Sequence, residues 1–371
     1  MLLDYEFPTH VIMKKDALAD NADRIAALGG HALVVIDAGM DDAHPAKQET
    51  LFCLEYKGLR RTLYLHTRKI APTIANLEAG AALAREVGAD FVIAVGCDAT
   101  LEAGKAIALL AAQDIKEATL YAQDITPLPV VCIPTSPGSG TEATPEIHVA
   151  QQGLERLTLV RNPLAAPQLA ILDPAYVQFM DDATVVNNYI KSLGRAVEAI
   201  TSEAANSISD AIAIAALGTI SDLAGTVLNA DKGFTLEDRE QFMLASHQAG
   251  LAIALSGANM LEALASPLTY ASHLRLGQAY GLIIPPVVAM LMERAPLVSD
   301  VILQSLYFSR LESLEDFLWA LIGEIEPIPA HRLEISANAA SSNPLIKAGV
   351  LSLDFKDIAS CYAHLVAEDE A

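Results

Sequence analysis

Short apolar runs alternate with helical spacing through the first half of this chain, and near Val177 the strand signal stops. No other feature constrains the fold as much. His31–Asp37, Arg61–His66, Phe91–Val95, Pro129–Ile133 and Leu169–Leu172 have the length and apolar content of strands. Thr73–Val87 and Thr100–Ala111 space their apolar residues as helices do. Strands that alternate with helices imply crossover connections, and hence a doubly wound, mostly parallel sheet. Glu146–Ala150 and Leu157–Val160, around Gln151-Gln-Gly-Leu154, read as a hairpin. Helical segments then follow near Asp182–Thr201, Ile208–Leu228, Leu236–Leu255, Met260–Ser272, Gly277–Met292, Leu297–Ser309 and Leu314–Ile325. The chain therefore reads as a Rossmann-like α/β domain over 1–175 and an all-helical domain over 176–371.

Composition narrows the partners. The chain has 371 residues, long enough for two cores. It is 52% hydrophobic and rich in Ala, which points to buried helix rather than disorder. Against 24 Lys and Arg stand 46 Asp and Glu, a formal charge of −22. That excess opposes binding to phosphate backbones and to anionic membrane surfaces, so neither nucleic acid nor membrane is an expected partner. The apolar stretch Ala249–Ala265 is broken by Glu262 and does not read as a membrane span. Cys53, Cys97, Cys132 and Cys361 show no CxxC spacing, so a reducing, cytoplasmic setting is expected. No basic region followed by an apolar one opens the sequence, so no signal peptide is expected. The tail Ala367–Ala371 reads as a solvated acidic end.

Three stretches bear on ligand binding. Asp37 closes the first strand, where a carboxylate can accept hydrogen bonds from ribose hydroxyls; an ordinary turn uses Asp equally well. Gly96-Cys97-Asp98-Ala99 follows the strand Phe91–Val95 and opens a helix. Asp98 there suits the helix start, and it also puts negative charge where phosphates would approach. In the loop Pro134–Pro145, Gly138 and Gly140 permit close backbone approach, and Thr135, Ser136 and Ser139 offer hydroxyls for ribose or phosphate. A strand-to-helix turn with no ligand accounts for the same glycines.

Several segments together resemble one family. These are Pro72–Gly80, Ala89–Gly96, Lys105–Ala108, Pro134–Pro145, Leu169–Pro174, Ser209–Ala211, Ala249–Ala252 and Ile283–Pro285, in that order. The chain resembles the iron-containing (group III) alcohol dehydrogenases of the dehydroquinate synthase-like superfamily. The resemblance implies two domains with a cleft between them, NAD(P) across the first and a divalent metal held by the second. It also implies hydride transfer between an alcohol or aldehyde and the nicotinamide, and a homodimer or larger homo-oligomer. NAD is then the expected cofactor, with Asp37, Gly96, Cys97, Asp98, Thr135, Ser136, Gly138 and Ser139 as its contacts. The sequence departs from the family in two places. Gly96-Cys97-Asp98-Ala99 stands where the family has Gly-Gly-Gly-Ser. The positions of the four metal ligands, one Asp and three His, fall on Lys191, Arg195, Glu262 and Leu276, and a further family His falls on Ser266.

Lys and Arg side chains offer no lone pair to a metal, so no metal is expected; His273 lies near but would make a poor site with Glu262. Lys191 and Arg195 are four apart and share a helix face. With Glu262 and neutral Leu276 they sum to one positive charge, as do the family's Asp, three neutral His and divalent cation. Two readings follow: a salt-bridge plug in the vacated metal position, or a cationic pocket that stabilises an oxyanion. Lys191, Arg195, Glu262 and Tyr280 are the candidate catalytic residues of a metal-independent NAD(H)-linked reductase of a small carbonyl or alcohol, although Tyr280 equally reads as a core tyrosine. The alternatives are an inactive binding or assembly partner, and a non-redox enzyme with an anionic substrate.

Overall fold

In the computed structural model, residues 5–67, 71–113, 116–151 and 156–365 are described. The acidic tail, the hairpin turn at 152–155 and the first four residues of the chain lie outside them. The chain divides into two compact units, Met1–Met180 and Asp181–Ala371.

Unit 1 contains strands β1 (His10–Met13), β2 (His31–Asp37), β3 (Arg60–His66), β4 (Phe91–Gly96), β5 (Val130–Pro134), β6 (Glu146–Gln151), β7 (Arg156–Arg161) and β8 (Leu169–Leu172). Its helices are α1 (Ala17–Asp20), α2 (Ala22–Ala26), α3 (Pro45–Tyr56), α4 (Ile74–Val87) and α5 (Asp98–Ala112). Six strands form one parallel sheet in the order β1-β8-β5-β4-β2-β3, and β6 pairs antiparallel with β7. The parallel sheet and the hairpin match the sequence reading. β1 and α3 were not in it.

The continuous apolar runs have a physical cause: both faces of the sheet are covered. Leu33, Val35, Val92, Ala94 and Cys132 face a core shared with α4 and α5. Val34, Ile36, Ile93, Val95 and Ile133, one residue out of phase, face a core shared with α1, α2 and α3. Period-two alternation with apolar residues on both sides leaves no polar stripe. Register aligns the strand ends: Asp37 is opposite His66, Ile36 opposite Val95, and Gly96 opposite Pro134. The residues at the carboxyl ends of β2, β3, β4 and β5 are therefore neighbours.

Unit 2 is helical: α6 (Asp182–Ile200), α7 (Ser207–Asp222), α8 (Ala224–Val227), α9 (Leu236–Ser256), α10 (Met260–Ala271), α11 (Leu276–Arg294), α12 (Pro296–Ser305), α13 (Leu311–Ile322), α14 (Ala330–Ser342) and α15 (Phe355–Tyr362). α6 starts on Asp181, whose carboxylate accepts from the Thr184 amide at 2.8 Å. From Asn188 to Ile200 every residue of α6 is buried. A helix buried on all sides must pair any charge it carries, and α6 carries Lys191, Arg195 and Glu198. α11 meets α6 very closely. A Cβ on Gly277 would lie 1.9 Å from the Asn187 carbonyl oxygen, and one on Gly194 would lie 2.4 Å from the Tyr280 ring. α11 is long and apolar enough to cross a membrane, but 61% of its apolar window is buried within the protein, as in a core helix.

Candidate functional site

The sheet order reverses at β2. The chain runs out from β2 to β3, then returns past β2 to place β4 on its other side. In open α/β sheets ligands bind beyond the carboxyl ends of the strands at such a switch point. A pocket of about 540 Å³ lies there, lined by Asp37, Met40, Asp41, His44, Cys97, Thr135, Ser136, Phe179 and their neighbours. That volume lies within the range of small-molecule sites, which is roughly 300–1,000 Å³.

Four of the sequence candidates, Asp37, Cys97, Thr135 and Ser136, line this pocket. Asp37 closes a local turn, with Oδ1 accepting from the Gly39 amide at 2.8 Å, while Oδ2 faces the Cys97 thiol at 3.7 Å. Turn residue and pocket residue are thus one and the same side chain. Burial, with the nearby charges of Asp98 and Asp37, pushes the Cys97 thiol up to about 11, so it stays protonated and unreactive. Gly96, Asp98, Gly138 and Ser139 are not among the lining residues. Gly96 has φ 154°, and a Cβ there would lie 2.9 Å from Thr100. Asp98 is the first residue of α5. Gly140 takes the left-handed conformation (φ 64°) that turns the loop. Among the described residues the buried Ser139 hydroxyl has no hydrogen-bond partner.

The loop is held from behind by residues the sequence reading did not assign. Lys105 of α5 is fully buried. Its ammonium donates to the carbonyls of Thr141 (3.0 Å), Thr144 (3.1 Å) and Glu146 (2.6 Å), and lies 3.1 Å from Thr141 Oγ1. Glu102, one turn earlier, accepts from His148 through its amide (3.1 Å), and its other oxygen lies 2.8 Å from the His148 ring. The signal in the sequence was a charged pair, Glu102 and Lys105, inside a helix whose remaining interior is apolar from Ala103 onward.

Two histidines near the pocket are kept neutral. His44 caps α3, its Nδ1 accepting from the Ala46 amide at 3.2 Å, which requires an unprotonated Nδ1. Burial lowers its pKa, against the opposing pull of the Tyr176 backbone and Asp41. His66 is buried, and among the described residues neither ring nitrogen has a partner. Burial lowers its pKa too, against the pull of Asp37. Both folded pKa values lie below the unfolded value of 6.5. In that window the unfolded chain binds more protons, so the stabilisation is complete above pH 6.5 and is lost as the pH falls below it. Urea midpoints of the sheet unit measured at pH 7.5 and 5.5 should drop on acidification. His44→Asn with His66→Phe should flatten the drop, because Asn still caps the helix and Phe does not titrate.

In unit 2 the structure brings together Arg195, Glu262 and Tyr280, and adds Glu198 and Asn259. Arg195 Nη1 donates to Glu198 Oε2 at 3.0 Å. The Asn259 amide donates to Glu198 Oε1 at 2.7 Å. The Tyr280 hydroxyl lies 2.9 Å from Glu198 Oε2 and 2.8 Å from Glu262 Oε2. A phenol has one proton to offer these two groups. Burial, then the two carboxylates, raise the Tyr280 pKa well above its ordinary value, which makes it a poor acid. Lys191 lies one turn before Arg195 on the same face of α6. Lys191 is 9% exposed, Arg195 3%, Glu262 2%, and Glu198 and Tyr280 0%. Leu276 is the first residue of α11 and half-buried, Ser266 is buried in α10, and His273 is exposed in the turn before α11.

The charge tally over the four expected ligand positions does not include Glu198, which lies three residues after Arg195 and pairs with it. That pairing, at 3.0 Å, is what a salt-bridge plug would require. The residues at the four positions expected of the ligands do not suit a metal, since two are cations without a lone pair and one is a leucine. Among the described residues no group of three or more His, Cys, Asp or Glu could hold a metal ion. A second pocket, of about 400 Å³, is lined by the neighbouring face of α6 with Arg275 and Gln278, and holds none of the candidate residues.

Residues 8–174 match the family model for iron-containing alcohol dehydrogenase, and residues 186–321 match the C-terminal part of the same family. A probable alcohol dehydrogenase of Salmonella typhimurium is 30% identical over 58% of this chain and 55% of its own length. A choline dehydrogenase of Bacillus subtilis is 27% identical over 76% of this chain and 71% of its own. The matches thus span about half the length of the first of these relatives. Among solved structures, an iron-containing alcohol dehydrogenase superposes with TM-score 0.88 at 25% identity over 99% of both chains. A sulfoacetaldehyde reductase of Bifidobacterium kashiwanohense, solved with NAD+, superposes with TM-score 0.84 at 20% identity over all of both chains, a likeness of fold.

Proposed function

The chain belongs to the iron-containing alcohol dehydrogenase family, and we propose that it is a nucleotide-binding member that works without a divalent metal. The observation that carries this reading is the bonding of Glu198. Arg195, Asn259 and Tyr280 all converge on its carboxylate, so the polar centre of the helical unit is completed by side chains. In the sheet unit, the pocket suits the adenosine end of NAD. Asp37 would accept from ribose hydroxyls, Thr135 and Ser136 would hydrogen-bond the sugar, and the Phe179 and Met40 side chains would flank the base. A bound nicotinamide would supply hydride chemistry.

NADH titration beside elemental analysis tests the proposal. Saturable binding, unchanged by EDTA, with no stoichiometric metal in the purified protein is the expected result. A stoichiometric metal whose removal weakens binding would refute it. Turnover of small aldehydes by NADH in the presence of EDTA marks a metal-independent reductase. Binding without turnover marks a silent partner protein, a second reading to which the burial of Lys191, Arg195, Glu262 and Tyr280 lends support. A non-redox enzyme of anionic substrates finds less support, because Glu198 pairs with Arg195.

A further inference from the structure

We propose that the helical unit holds a ligand site of its own, for a small zwitterion of the amino-acid class with net positive charge, of which lysine is the simplest example. The site is the pocket of about 400 Å³ between α6, α11, α13 and the turn at Ala230–Lys232. All of its lining residues belong to the helical unit, so it stands apart from the nucleotide pocket of the sheet unit. Its volume lies within the range of small-molecule sites. Val186 and Ile190 reach it from a different side of α6 than the one that carries Lys191 and Arg195.

The pocket combines both signs of charge with an apolar surface. Asp182, the first residue of α6, and Asp231, in the turn, each bring a carboxylate, and Arg275, just before α11, brings a guanidinium. Among the described residues none of these three forms an ion pair. The charge of Arg275 does act on Asp181, but the Asp181 oxygens are taken by the Thr184 amide at 2.8 Å and the Thr184 hydroxyl at 2.7 Å. A simple anion would meet two carboxylates here, and a simple cation would meet the guanidinium. A molecule with one carboxylate and two ammonium groups answers all three. The planar guanidinium fork matches a carboxylate, and each Asp can accept from an ammonium. Val186, Ile190 and Leu321 give the aliphatic stem between those groups an apolar surface to lie on. The formal charge of −22 on the chain favours the approach of a net cation.

Trp319 stands in α13, two residues before the lining Leu321, so its fluorescence reports occupancy. Titration of the full chain with lysine, leucine and cadaverine separates the contributions, because leucine lacks the second ammonium and cadaverine lacks the carboxylate. Lysine should bind saturably, about tenfold more tightly than either, and should raise the urea midpoint seen by Trp319. Arg275→Gln should weaken lysine about tenfold and leave cadaverine within about twofold. Asp231→Asn should weaken lysine and cadaverine alike. Because neither side chain is in an ion pair, the urea midpoint without ligand should stay in place in both variants, which separates lost binding from lost folding. If lysine does not saturate, or binds no more tightly than leucine and cadaverine, or binds either variant as well as the unaltered protein, the pocket is not a site for this class of ligand.

Discussion

Glu198→Ala should destabilise the helical unit by about 3–5 kcal/mol, the cost of stranding one member of a buried ion pair. The total stability of a domain is roughly 5–15 kcal/mol, so the variant should sit at the edge of unfolding. The substitution leaves the buried Arg195 guanidinium without its 3.0 Å acceptor and the Asn259 amide without its 2.7 Å acceptor. Tyr280→Phe should cost far less, about 1 kcal/mol, because it keeps the ring that packs on Gly194 and leaves each carboxylate its other partners. Trp319, the only tryptophan, lies in α13 of the same unit and reports the transition by fluorescence during urea unfolding. If Glu198→Ala shifts that midpoint no further than Tyr280→Phe does, the network is not what holds the unit together.

Lys105→Met should have a comparable effect on the sheet unit, also about 3–5 kcal/mol, for a related reason. Met fills the apolar length of the side chain but donates nothing. The carbonyls of Thr141, Thr144 and Glu146 would each lose a donor in a buried setting, at about 1–3 kcal/mol for each group left unsatisfied. Burial lowers the Lys105 pKa, while the charges of Glu102, Glu146 and Glu142 pull it back up. The loop from Thr141 to Glu146 continues the one that supplies Thr135 and Ser136, so adenosine binding should weaken together with stability. The Trp319 transition should move far less than in Glu198→Ala. A Lys105→Met protein with an unchanged sheet transition and unchanged adenosine binding would show that the ammonium does not brace this loop.

The sheet was legible because burial on both faces leaves continuous apolar runs, as in Leu33–Ile36 and Phe91–Val95. β1 was not, because at the sheet edge none of its four residues is fully buried, whereas all four of β8 are. The pocket was half legible. Asp37, Cys97, Thr135 and Ser136 sit at strand ends, where sequence reasoning looks for ligand contacts, whereas His44 and Phe179 reach the pocket from loops with no motif. In the helical unit the residue types at 191, 195 and 262 were enough to question the metal. Glu198 was visible at a helical spacing from Arg195 but had no stated role, because its other partners, Asn259 and Tyr280, are 61 and 82 residues away.

Local pattern alone determined the alternation of strands and helices and the all-helical second half, because period is a property of neighbours in the chain. Which charges neutralise one another was decided only by tertiary structure. α6 and α11 approach closely at Gly194 and Gly277, where no Cβ holds them apart, and that approach carries the Tyr280 hydroxyl to Glu198 and Glu262. A buried charge is stable only beside its partner, and the partner is set by how helices cross, not by how residues are spaced along one of them.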